Sequence, residues 1–256
     1  MLSTIWASKS GMNATQEKLD SISNNIANVG TTGYKKVEVG FKDLMTESLD
    51  KLGIPLNDRT TVTGTGVRAS SWYRDDTQGA VMQTYRTTDI ALDGQGYFRL
   101  TSPDGESVYT RNGTFFIDSA GDLVDNMGNR VALEFEDGYS LENANFTDAN
   151  LLVDNDGSVY INENNKVVKV AEIPIYEAIG DNAMISIGNS YYMPQEEAAV
   201  YRTRDVSFLQ GYLEGSNVDI ADEFSEMIIT QRAFELSSKG ITTADEMWGM
   251  VNSLRR

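Results

Sequence analysis

Two seven-residue apolar repeats, one at each end of the chain, constrain its fold more than any other feature. Ile5, Met12, Leu19 and Ile26 stand seven residues apart, and Ile22 and Val29 fall three residues after two of them. Ser8 and Thr15 take the other positions of that stripe, so its first half is weakly apolar. At the far end Ile220, Met227, Phe234, Ile241 and Trp248 repeat with the same period. Phe224, Ala233, Ala244, Met247, Val251 and Leu254 flank them. An apolar residue at every seventh position keeps one stripe of a helix against a partner helix. A helix is therefore predicted at each terminus, with a seam made for another helix.

Local signals set the ends of both helices. Asn28-Val29-Gly30-Thr31-Thr32-Gly33 tolerates left-handed backbone, so the first helix stops between Asn28 and Gly33. Asn217 or Asp219 can cap the second, and Asp219, Asp222, Glu223 and Glu226 sit where the positive dipole end favours anions. Arg255 and Arg256 close its negative end. Gly240 and Gly249 inside this helix cost about 1 kcal/mol each against Ala, and read as points of close approach or mild bending.

Between the ends the pattern changes to short β-rich runs separated by turn residues. Tyr97–Thr101 and Val108–Arg111 bracket Ser102-Pro103-Asp104-Gly105, and Thr114–Ile117 precedes Ser119-Ala120-Gly121-Asp122. Leu151–Val153 and Ser158–Ile161 bracket Asp154-Asn155-Asp156-Gly157, and Val167–Val170 follows a turn at Asn164-Asn165. Strands this short, at this spacing, imply an antiparallel all-β domain. The fold class expected is α+β: paired N- and C-terminal coiled-coil-type helices, an inserted antiparallel all-β domain, and extended connecting arms. The expected division is a discontinuous helical domain at 1–33 and 217–256, arms at 34–66 and 202–216, and a β-rich outer domain at 67–201. A lone two-helix pair covers one face of each helix and is marginal in water. It needs neighbours, which points to a subunit whose termini complete their burial in a polymer. The competing reading is that amphipathic ends cover the core of their own domain.

Composition narrows the function. The 256 residues contain no cysteine and no histidine. Disulfides, thiolate metal sites, thiol nucleophiles, His-ligated metals and Ser-His-Asp triads are thereby excluded. The net charge of −17 would repel phosphate backbones, and no basic stripe offsets it. Residues 1–36 carry +2 and residues 211–256 carry −4, which leaves −15 in the middle. No apolar run reaches the length of a membrane span, and the start lacks the charged-then-apolar pattern of a cleaved secretory signal. Neither nucleic-acid binding nor membrane insertion is expected, and no cofactor or metal is implied.

Motifs with possible chemistry have plainer readings. With Gly157 at loop position six, Asp154, Asp156 and Glu163 match positions three, five and twelve of a calcium loop, but Leu152 stands where the first carboxylate belongs. A hairpin turn is the better reading. Gly94-Gln95-Gly96 lacks the third glycine and following helix of a dinucleotide fingerprint. Asp75 with Asp76, or Glu134, Glu136 and Asp137, are acid neighbours that an acidic chain produces by chance. Ser237-Ser238-Lys239 lacks the spacing of a Ser/Lys nucleophile. No catalytic residue is assigned.

Several blocks resemble the bacterial flagellar axial proteins of the rod and hook-basal-body group. Asn24-Asn25-Ile26-Ala27-Asn28-Val29-Gly30-Thr31-Thr32-Gly33-Tyr34-Lys35 is similar to that family's N-terminal motif. Asp93-Gly94-Gln95-Gly96-Tyr97-Phe98 also matches, as do Tyr109-Thr110-Arg111-Asn112-Gly113-Thr114-Phe115 and the stretch Gln210–Val218 with Gly215 and Asn217. Met227–Lys239, with Gln231 and Arg232, is similar to the distal-rod type. The compact Leu52–Thr63 and Gly240 depart from that type, so a proximal-rod or hook-type subunit is the alternative.

The resemblance implies a structural subunit, not an enzyme, exported by the flagellar type III apparatus without signal cleavage. It implies a helical homopolymer joined to neighbouring rod and hook subunits, with outer-membrane ring proteins as a further neighbour, carrying torque from motor to hook. Terminal helices of adjacent subunits pack into the tubular core of such rods, with the β domain outward. The expected assembly interface is then Ile5, Met12, Leu19, Ile22, Ile26, Val29, Ile220, Phe224, Met227, Phe234, Ile241, Met247, Trp248 and Val251. A secreted acidic enzyme using carboxylates, and an adhesin-like binding module, are the readings from other classes.

Overall fold

The computed structural model describes residues 2–44, 46–48, 62–136, 138–140, 144–163, 166–180, 183–195 and 198–254. The Asn164-Asn165 turn, most of the compact Leu52–Thr63 stretch, Asp137, Arg255 and Arg256 lie outside these residues. Long helices stand at both ends with an antiparallel β region between them, which is the α+β class expected. The chain divides into two compact units: residues 1–27, 37–73 and 219–256 form one, residues 28–36 and 74–218 the other.

Helix α1 (Leu2–Ala27) and helix α2 (Ile220–Leu254) form the frame of the first unit. The Asp219 carboxylate accepts the N–H groups of Ala221 and Asp222 at 2.7 and 3.3 Å, so Asp219 is the N-cap of α2. Past the end of α1 the chain turns, with the Thr31 N–H donating to the Asn28 carbonyl at 3.0 Å. The helices run antiparallel. Near one end Asn25 Nδ2 donates to Glu223 Oε2 at 3.2 Å, and Lys18 pairs with Glu226 at 3.2 Å. Towards the other end Gly11 lies beside Ser237 and Gly240 beside Ser8.

A third layer in this unit carries no seven-residue signal. Strands Val37–Asp43 and Val67–Arg74 form a two-stranded ribbon. Val39, Ala69 and Ala14 make a small apolar cluster joining it to α1. Ser21 Oγ and Asn25 Nδ2 donate to the Val37 carbonyl at 2.6 and 3.0 Å, and Asn25 Oδ1 accepts the Val37 N–H at 3.0 Å. The residues before Leu44, expected as part of an extended arm, are thus a strand docked on α1. Two small side chains, Ala14 and Ser21, make the close approach possible.

In the second unit the strands pair antiparallel throughout. Tyr97–Thr101 is central to the larger sheet, pairing with Ser107–Thr110, Arg130–Val131 and Ile175–Ala178. A second sheet is ordered Glu134–Phe135, Lys166–Glu172, Ser158–Glu163, Leu151–Val153. One core lies against both, with Phe98 and Phe115 in edge-to-face contact at 5.2 Å and Phe208 at 6.4 Å from Phe98. The run 202–216, expected as an arm, is knitted in: Ser207–Gln210 pairs with Ile90–Asp93, and Tyr212–Glu214 with Val81–Gln83.

The Asp154–Gly157 loop is the turn of a hairpin in which Leu151 faces Ile161 and Val153 faces Val159. Its acids serve the turn itself. Asp154 Oδ1 accepts the Asn155 N–H, and Asp156 Oδ1 accepts the Ser158 N–H, each at 2.8 Å. The Ser158 N–H bond holds the Asp156 carboxyl below the usual carboxylate range. Among the described residues no group of three potential metal ligands gathers here or elsewhere.

Candidate assembly interface

Two features stand out: a buried ionic cluster in the second unit, and an uncovered apolar face on α2.

The cluster consists of Lys35, Arg111 and Glu214, all within 3% of complete burial. Lys35 Nζ reaches Glu214 Oε1 at 2.8 Å, and Arg111 Nε reaches Glu214 Oε2 at 2.5 Å. Two cations against one carboxylate leave an excess positive charge, which backbone dipoles meet. Lys35 also donates to the Thr77 carbonyl at 2.8 Å. Arg111 spreads its remaining donors over the carbonyls of Gly94 and Gly96 at 2.5 Å and Leu92 at 3.3 Å. A planar guanidinium suits this role because its donors point in fixed directions. Burial pushes the Lys35 ammonium below the usual lysine range, against the pull of Glu214. Burial would raise the Glu214 carboxyl, but the Arg111 charge and the Lys35 hydrogen bond and charge hold it below the usual range.

Most motif residues quoted from the sequence meet at this cluster. Gly33 lies at φ +67°, and its N–H donates to the Glu214 carbonyl at 2.9 Å. A Cβ there would stand 2.6 Å from the Asn112 nitrogen, so glycine is required twice over. Gly113 passes so close to the Ile90 carbonyl that no side chain fits. Thr31 and Asn28 close the preceding turn, and the Tyr34 N–H donates to the Thr31 carbonyl at 3.3 Å. The Gly215 N–H donates to the Ala80 carbonyl at 2.8 Å. Asn217 accepts the Lys36 N–H at 2.7 Å and donates to the Asp75 carbonyl at 2.8 Å. Asn25 is buried in the helical unit instead, whereas Asn24, Gln231 and Arg232 lie exposed on the helices.

The helix pair divides the seam residues. Within a single copy Ile22 is buried, while Ile5, Met12, Leu19, Ile26, Met227, Phe234 and Ile241 are half-buried; Val29, past the end of α1, is half-buried too. On α2 the covered positions, Glu223, Met227, Thr230, Phe234, Ser237, Ile241 and Ala244, alternate by four and three. Ile220, Phe224, Met247, Trp248 and Val251 are exposed. So are Ile228, Ile229, Leu236 and Met250, which the seven-residue pattern does not select. Leu236 is 68% exposed. Their sequence signal was density: the run Met227-Ile228-Ile229 holds more apolar residues than one seam uses. Glu223 was read as a first-turn anion and Glu214 falls within the Gln210–Val218 block, but nothing in the sequence marked either of them as buried.

Comparison with known proteins shows the family of the chain. Residues 7–35 match the family model "Flagella basal body rod protein", residues 91–190 "Flagellar hook protein FlgE/F/G D1 domain", and residues 209–254 "Flagellar basal body rod FlgEFG protein C-terminal". The flagellar basal-body rod protein FlgG of Borreliella burgdorferi is 34% identical over the whole of both chains. FlgG of Bacillus subtilis is 35% identical, again over the whole of both. The flagellar hook-basal body complex protein FlhP of Bacillus subtilis is 28% identical over the same extent. The chain belongs to the flagellar basal-body rod protein family, and it is a structural rod subunit.

Proposed function

We propose that this chain builds the distal rod by stacking copies of itself through its terminal helices, and that the exposed face of α2 is the surface that neighbouring copies cover. The observation that carries this is the uncovered stripe itself: Phe224, Ile228, Ile229, Leu236 and Met250 stand in water while the opposite side of α2 is packed. Covering a large apolar side chain contributes roughly 1.5–3 kcal/mol, so a few per neighbour offset much of the ordering cost of two marginal helices. A contact between α2 of one copy and a different surface of the next is heterologous, which is what an open helical polymer needs. The exposed seam residues Ile220, Phe224, Met247, Trp248 and Val251 extend the same interface, and the inner ones hold the helix pair that presents it, with 1–33 and 217–256 as the assembly core and 67–201 as the outer domain. The chain is exported through the type III apparatus without a cleaved signal, meets rod and hook subunits at either end of its segment, passes through the outer-membrane ring, and transmits torque without catalysing a reaction.

Light scattering and electron microscopy of the purified chain against concentration test this reading. The parent chain is expected to polymerise, while Leu236→Asp and Ile229→Asp stay monomeric, keep their fold and fail to restore motility. Polymers formed equally well by both variants would remove α2 from the interface.

A further inference from the structure

The second unit is made from two pieces of chain, residues 28–36 and 74–218, so the backbone crosses its boundary at 27/28, 36/37, 73/74 and 218/219. Residues beside the last three crossings are bonded to one another inside the unit. The Asp75 N–H donates to the Lys36 carbonyl at 2.9 Å, the Lys36 N–H to Asn217 Oδ1 at 2.7 Å, and Asn217 Nδ2 to the Asp75 carbonyl at 2.8 Å. This triangle sits beside the Lys35–Glu214–Arg111 cluster. Glu214 Oε1, which Lys35 reaches, also accepts the Gly79 N–H at 2.9 Å.

We propose that residues 28–36 are a closing clip of the β unit: the unit reaches its final state only when Lys35 docks onto Glu214 and Thr77, and Lys36 onto Asn217. The family motif then serves the β unit as a folding element as well as ending a helix. Two facts carry the argument. The clip contacts join residues 179 and 181 apart in sequence, among the longest loops this chain can close. Contacts of such separation form late, because the loop entropy must be met before they add anything. The docking place is also less well satisfied without the clip, since Glu214 loses one of its two cations and the Thr77 carbonyl keeps only the Asn217 amide, at 3.1 Å. Water must fill the gap until the segment arrives. Under the export reading above, a chain delivered in extended form stays open at this point until residues 28–36 and 209–218 are both across. That consequence rests on the export reading; the clip does not.

Pulse-labelled hydrogen exchange during refolding of the purified full chain tests it without any substitution. The amides of Gly33, Lys36 and Gly79, whose bonds make the clip, are expected to become protected after those of Tyr97–Thr101 and Ser107–Thr110. Protection at the same time or earlier overturns the proposal. In the folded state, Lys35→Met should speed exchange at Gly33 and Gly79 by about tenfold or more, the scale of a lost charged hydrogen bond, while Lys18→Met leaves both unchanged. Unchanged exchange in Lys35→Met likewise overturns it, and if that variant does not fold the refolding order of the parent chain decides.

Discussion

In the β unit Phe98, Phe115, Leu100 and Ile90 are completely buried, while on α2 Phe224, Ile228, Ile229 and Leu236 are half exposed or more. The same residue types meet opposite fates within one chain. The β unit closes its core by wrapping two sheets around it, and each strand contributes alternate side chains to that core. A helix that buries one stripe against a single partner leaves the rest of its circumference uncovered. The comparison teaches that the β unit encloses a large apolar core within one chain, whereas α2 has no such enclosure and leaves one whole face uncovered. The tryptophans let the two be followed separately. Trp6, Trp72 and Trp248 all lie in the helical unit, so tryptophan emission reports that unit and tyrosine near-ultraviolet dichroism mainly the other.

The largest effect expected is from Phe98→Ala. Removing a fully buried phenylalanine costs about 3–5 kcal/mol through lost burial and the cavity left behind. The tyrosine-reported transition should fall sharply in temperature while tryptophan emission changes little. Loss of both signals together would mean that the units do not fold separately, and the comparison would fail.

Next comes the ionic cluster. Glu214→Gln leaves Lys35 and Arg111 buried without their carboxylate, which costs about 3 kcal/mol or more. Acid should act on the parent chain in the same direction. The folded Glu214 carboxyl lies below its unfolded range, so the unfolded chain binds the proton first as pH falls. Its contribution is present above the ordinary glutamate range and is lost as pH drops through the lowered folded value. The Lys35 shift acts in the same direction in a higher pH window. Its folded ammonium lies below the usual lysine range, so the folded chain releases its proton first, and stability from this group rises with pH across that window. Melting of the β unit followed from neutral to acid pH checks the first part, and Glu214→Gln should flatten the profile.

A smaller contrast separates two residues that stand two positions apart on α2. Phe234 is half-buried in the helix pair and Leu236 faces water. Phe234→Asp should destabilise the helical unit by about 2 kcal/mol, whereas Leu236→Asp should change the monomer by less than about 0.5 kcal/mol. Both should stop polymerisation. Equal effects on the monomer, read from tryptophan emission, would erase the distinction between the inner and outer faces of α2.

These residues also show what the sequence could disclose. A seven-residue repeat is a local pattern, so Met227, Phe234 and Ile241 were legible as one stripe, and the strand-and-turn runs of the β unit were legible for the same reason. The ribbon of Val37–Asp43 with Val67–Arg74 was not, because pairing between distant segments leaves no period and its seat on α1 depends on two small residues, Ala14 and Ser21. The ionic cluster was half legible. Lys35 and Arg111 belong to recognisable motifs, but nothing marks Glu214 as the acid that joins them across 179 and 103 positions. The outward residues Ile228, Ile229 and Leu236 escaped because they lie off the seven-residue repeat, and only the packing of α1 on one side of α2 leaves them in water.

The two glycines of α2 give the finest test. Nothing lies within 4 Å of where a Cβ would stand on Gly249, whereas at Gly240 it would stand 2.5 Å from the Ser8 hydroxyl. Gly249→Ala should therefore gain the full helix propensity of alanine, about 1 kcal/mol, and raise dichroism at 222 nm. Gly240→Ala gains the same propensity but must rotate the Ser8 hydroxyl away, so its net effect should be close to zero. Adding Ser8→Ala removes the obstacle and should restore the gain, a coupling that a double-mutant cycle isolates. If Gly240→Ala alone stabilised the helical unit as much as Gly249→Ala, the close approach of α1 and α2 would carry no energetic weight, and α2 would be as loosely held on its inner face as on its outer one.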